Sequence, residues 1–124
     1  MSKAFEGLKY FHPDEEVVVS GRMKKSFPYP ELMETRFMRR LDMTREQAGV
    51  AFIVTDSYRP GDAGFHGQGR AVDIRCHWRS HAFKIVEAAI RMGFRGIGVY
   101  DSHVHLDDRE VPTMWVGTSS EEEE

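Results

Sequence analysis

Between Tyr100 and Asp108 the chain reads Tyr-Asp-Ser-His-Val-His-Leu-Asp-Asp. Side chains of an extended strand alternate between its two faces. Asp101, His103, His105 and Asp107 therefore project from one side, while Val104 and Leu106 anchor the other. Four ionisable groups in a row are expensive to bury, so that face either meets water, as in an ordinary half-exposed sheet, or surrounds a cation.

A second stretch bears on that choice. Asp56 to Gly69 holds four glycines and Pro60 within 14 residues, too much punctuation for regular structure. It contains His66 and runs into Arg70-Ala-Val-Asp-Ile-Arg75, whose alternation sends Ala71, Asp73 and Arg75 to one face and Val72 and Ile74 to the other. Glycines let backbone approach closely and can seat a ligand at a strand entrance. Two imidazoles with one carboxylate form a catalytic zinc set that leaves a fourth position for water. Calcium and magnesium prefer all-oxygen cages, whereas iron also accepts two histidines and a carboxylate. The residues alone leave zinc and iron both open.

The rest of the chain supplies a scaffold. Met33, Phe37 and Leu41 recur at helical spacing, Pro30 suits a first turn and Gly49 a C-terminal cap, which predicts a helix over 31–47. A short buried strand is expected at 50–55. A second helix is expected over 80–92, capped by Ser80 and ended by Gly93, with Phe83, Val86, Ala89 and Ile90 as its apolar stripe. Strands at 96–100 and 103–108 follow, and Trp115 reads as core packing. Residues 1–28 are hard to read, apart from a possible short strand at Val17–Val19 and a turn at Pro28-Tyr29-Pro30. The expected fold class is α+β, a small mixed or antiparallel sheet packed against helices in one domain over 1–118.

Composition narrows the function. A chain of 124 residues, 40% of them apolar, can bury one core. The glutamates Glu121–Glu124, expected as a solvated acidic tail over 119–124, outweigh the formal net charge of −3 and leave the remainder near neutral. Basic residues are scattered, which argues against a nucleic-acid partner. Cys76 is the only cysteine, so disulfides play no part and a buried structural thiol is expected. No run approaches the roughly 20 apolar residues of a membrane span, and the first residues lack the apolar stretch of a secretory signal. The expectation is a monomer made in the cytoplasm without membrane insertion.

Ser57-Tyr-Arg-Pro60, His66-Gly-Gln-Gly-Arg-Ala-Val-Asp-Ile74, Gly96-Ile-Gly-Val-Tyr-Asp101 and His103-Val-His-Leu-Asp107 together resemble peptidase family M15. That family comprises zinc D-Ala-D-Ala carboxypeptidases and L,D- or D,D-peptidases, and the likeness, over roughly residues 37–115, is to its short phage and prophage members. The resemblance implies a Hedgehog/DD-peptidase-like fold and one Zn2+ held by His66, Asp73 and His105. It implies Arg59 as a binder of substrate carboxylate or carbonyl groups, with Ser57 in the same pocket. It also implies Asp101 as general base, four residues before His105 where many members place an acid three before. His103 stands where relatives often carry an apolar aromatic, and is a candidate to stabilise an oxyanion or to donate to a ligand. The implied substrate is a peptidoglycan peptide, cleaved at the cell wall after release in a phage or prophage setting. The related Hedgehog domain carries a similar site without established peptidase activity, so a zinc-stabilised binding module or virion component is the alternative.

Overall fold

The computed structural model describes residues 2–118; the acidic tail lies outside them. The N-terminal segment is a working part of the fold: Ala4, Phe5, Phe11 and Phe27 join the core, and the backbone amides of Lys9 and Tyr10 donate to the Asp42 carboxylate. Strands β1 (Glu16–Val19) and β2 (Arg22–Lys25) form a hairpin that covers the expected short strand. Its turn residues Ser20 and Gly21 have φ of 52° and 77°, the positive pair that a tight two-residue hairpin demands.

Helix α1 (Thr35–Ala48) starts later than its apolar spacing predicts. Pro30–Leu32 is a separate 3-10 turn, Met33 is extended, and the Glu34 side chain accepts from the Phe37 amide at 2.7 Å to cap the helix. Phe37, Met38 and Leu41 are buried, and Gly49 closes the helix at φ 68°. Strand β3 (Val54–Asp56) starts later than expected, and its register shifts between Val54 and Asp56.

After the glycine-rich loop come β4 (Ala71–Arg75), α2 (Arg79–Arg91), β5 (Gly96–Val99), β6 (His103–Asp107) and β7 (Thr113–Val116). Trp78, not Ser80, occupies the N-cap of α2, with no side-chain cap bond. The buried face of α2 is also rotated from the predicted stripe. Ile85, Ala88 and Ala89 are buried and Val86 packs against the core, whereas Phe83 and Ile90 are 65% and 56% exposed. Helices α1 and α2 pack side by side.

The central sheet has the order β3-β4-β6-β5-β7, antiparallel throughout except for the parallel β5–β7 pair. The fold class is thus α+β with a mixed sheet packed against helices. Val72, Ile74, Ile97, Val104 and Leu106 point into the core with the helices. The alternate positions, Ala71, Asp73, Gly96, Gly98, His103, His105 and Asp107, form the opposite face. Trp115 belongs to that second face rather than to the core: its ring lies over Gly98, where any Cβ would collide with it. No helix among the described residues is long and apolar enough to cross a membrane.

The phase of α2 gives a direct test. Ile85→Ala should cost about 2–5 kcal/mol of stability, as large-to-small changes in a packed core do, while Phe83→Ala should stay within about 0.5 kcal/mol. Urea unfolding of both variants checks this, and equal losses would contradict the observed burial.

Candidate metal centre

His66, Asp73 and His105 come from three elements and meet on the polar face of the sheet. His66 lies in a 3-10 turn (Phe65–Gln68) whose end, Gly69 at φ 70°, reverses the chain into β4. Asp73 and His105 face each other directly across the β4–β6 pair. All three are at least nine-tenths buried, and one ligand atom from each lies within 4.8 Å of the others, an arrangement that could hold a metal ion.

The hydrogen bonds decide which atoms are available. His66 Nδ1 donates to the Ser57 carbonyl at 2.7 Å, which leaves its Nε2 lone pair directed into the cluster, 3.5 Å from Asp73 Oδ1. His105 Nε2 donates to Asp107 Oδ2 at 2.7 Å, so Nδ1 is the nitrogen turned inward, 3.1 Å from Asp73 Oδ1. His66 Nε2 and Asp73 Oδ2 are buried with no hydrogen-bond partner. Buried polar atoms are rarely left so, and two such atoms beside an inward Nδ1 fit a coordinating cation.

Charge alternates through the cluster. Burial raises the Asp73 pKa, but the neighbouring His105 and His66 rings outweigh it and hold the carboxyl far below its ordinary range. Burial lowers that of His105, yet the carboxylates of Asp107 and Asp73 together raise it to about 9. Asp107 is likewise held well below the usual range: burial acts upward, and Arg109 and His105 overcome it. His103 is pushed down by burial, with Asp73 opposing.

The remaining predicted residues fall into different positions. His103 shares the face of His105 two residues along β6 and stacks on Tyr100, with ring centroids 4.3 Å apart. Asp101 is exposed in the turn closed by the Tyr100 amide and His103 carbonyl, and is not part of the three-ligand cluster. The Arg59 guanidinium is half exposed and pairs with Asp62 at 3.1 Å and Asp56 at 3.9 Å, while its backbone amide bonds the His66 carbonyl. The Ser57 side chain is buried and donates to the Ser26 carbonyl at 2.8 Å. What Ser57 gives the site is its backbone carbonyl, which orients His66.

Four participants escaped sequence reading in these roles: Asp107 and Arg109 behind His105, Gly96 beneath them, and Trp115 beside the His105 ring at 5.3 Å. Asp107 was visible in the alternation, but its hydrogen bond was not. Compared with known proteins, the chain matches no family model, no curated protein and no solved structure.

Substitutions should separate ligands from supports. His66→Ala and His105→Ala should each abolish stoichiometric metal uptake, read by mass spectrometry of the metal-loaded protein. Ser57→Ala keeps the carbonyl and should retain uptake while losing about 1–3 kcal/mol of stability through the orphaned Ser26 carbonyl. Loss of uptake in Ser57→Ala would contradict the backbone role.

Proposed function

We propose that this chain is a zinc-dependent peptidase that hydrolyses amide bonds in the stem or cross-link peptides of peptidoglycan. The observation that carries the reading is the buried His66, Asp73 and His105 set, with two unpartnered polar atoms and two imidazoles whose outer nitrogens are already fixed. Two imidazole nitrogens as ligands favour zinc over the hard cations. The motif resemblance to family M15 supplies the reaction and the wall-peptide substrate, and with them a Hedgehog/DD-peptidase-like fold and a phage or prophage setting.

Zinc bound there supplies a Lewis acid that polarises an amide carbonyl and makes water nucleophilic near neutral pH. The chain's own residues do the rest. Trp115, whose ring covers Gly98 and flanks His105, offers an aromatic wall for a bound peptide. His103, on the same face, takes the proton from the attacking water at its imidazole and returns it to the leaving amine. Asp101 acts from the turn, where its charge raises the basicity of His103 against the effect of burial. Arg59 orients a substrate carboxylate with its guanidinium fork, exchanging the partnership of Asp56 or Asp62 for that of the peptide.

A second reading, a zinc-stabilised binding module, is favoured by one observation: Asp101, the expected base, stands exposed outside the ligand cluster.

Peptide release from purified peptidoglycan, followed by chromatography and mass spectrometry alongside zinc content, separates the two. The zinc-loaded wild type should release peptides, chelation should stop it, and His103→Ala should slow it by about 10²–10⁴-fold, the usual range for a general base. Asp101→Ala should have a smaller effect, about tenfold. One zinc per chain without any release would replace the peptidase by the binding module.

A further inference from the structure

Behind His105 lies a chain of contacts that ends on Arg109. The Asp107 carboxylate is fully buried, and its oxygens are all in use. Oδ2 accepts from His105 Nε2 at 2.7 Å and from Arg109 Nη2 at 2.7 Å, and Oδ1 accepts from Arg109 Nε at 2.8 Å and from the Arg109 amide at 3.2 Å. A carboxylate so occupied is poorly placed to bind a metal or take a proton. Its outlet to the ligand cluster is the His105 ring.

The guanidinium is itself held. It sits 5.1 Å from the Phe65 ring and 4.9 Å from the Trp115 ring, a favourable placement for a cation against aromatic faces. Phe65 precedes the ligand His66, and Trp115 flanks the ligand His105. Room for the pair exists because residue 96 is glycine: a Cβ there would collide with the Asp107 carboxylate.

We infer that Arg109 is a positioning residue for the metal centre: its two-pronged grip aims the Asp107 carboxylate at His105 Nε2 and so commits Nδ1 to the ion. The inference rests on the metal reading but not on catalysis. An imidazole bound through one nitrogen is oriented by the partner of the other, and removing such partners commonly weakens metal affinity by 10–100-fold. Surface ion pairs usually contribute little. This one differs because the carboxylate is buried and the fork uses two parallel bonds. Lysine would keep the charge and the stem between the two rings, but not the fork.

The test uses the full chain and two probes, zinc by chelator competition and Co2+ by its visible absorption, in wild type, Arg109→Lys, Arg109→Ala, Asp107→Asn and the double variant Arg109→Ala/Asp107→Asn. Melting of the metal-free proteins checks folding. Arg109→Ala should lower zinc affinity by about 10–100-fold and shift the Co2+ bands. Arg109→Lys should fold like wild type yet recover only part of the affinity, and Arg109→Ala should add little once Asp107 is already Asn. Zinc affinity within about threefold of wild type in both Arg109 variants would overturn the inference, as would a loss of equal size in the Asp107→Asn background, which would mark a general structural effect. A wild type that binds zinc but cleaves nothing would end the peptidase reading and leave this inference standing; a wild type that binds no zinc would end both.

Discussion

The pairing of β4 with β6 sets Asp73 opposite His105, and both the core and the site depend on that register. Side chains alternate along each strand, so a slip of one residue would exchange the faces. Val72, Ile74, Val104 and Leu106 would then meet the polar side, while Asp73, His105 and Asp107 would be driven among the phenylalanines and leucines beneath the helices. Apolar burial therefore selects the register, and the register assembles the ligands. The two could not be varied independently, which is why a small chain can place three ligands accurately without a disulfide.

Such a site has to offset the desolvation of several ionisable groups. It does so by alternating donors and acceptors from Ser57 through His66, Asp73, His105 and Asp107 to Arg109, each group touching the next at hydrogen-bond or ion-pair distance. The outer nitrogens of His66 and His105 each have an acceptor, and the fully buried Asp107 carboxylate has a guanidinium. Within the ligand set, His66 Nε2 and Asp73 Oδ2 lack partners and lie where an ion would sit. A merely half-exposed polar strand would instead leave its ionisable groups in water, and His103, His105 and Asp107 are buried.

Period-two alternation made the polar face of β6 and the place of Asp73 legible in the sequence, because a strand's geometry leaves a side chain only two directions. The glycine-rich run marked the His66 turn for a similar reason. Other features depend on contacts distant in sequence. Nothing local shows that Gly96 must yield space to Asp107, eleven positions later, or that Trp115 lies over Gly98 instead of in the core. The phase of α2 differs from the predicted stripe because Phe83 and Ile90 look more apolar than Ala88, yet Ala88 is the buried residue and those two are exposed. The N-terminal segment lacked periodicity, yet its phenylalanines fill the core from irregular backbone. Nothing in the sequence marks Arg109, because its role depends on the buried Asp107 carboxylate and on the Phe65 and Trp115 rings.

The two flanks of the cluster are built differently, and this bears on where chemistry can occur. On the Arg109 side the groups are saturated: Asp107 has its oxygens occupied and the guanidinium is wedged between rings, so proton transfer there would dismantle the support of His105. On the other side His103 is stacked on Tyr100, whose hydroxyl accepts from Trp115 Nε1 at 2.8 Å, and the exposed Asp101 turn brings solvent close. A ring steadied by stacking keeps its orientation while its nitrogens change partners. On the proposed peptidase reading, rigid support of the ligands and handling of a proton fall to opposite ends of β6, with His105 between them.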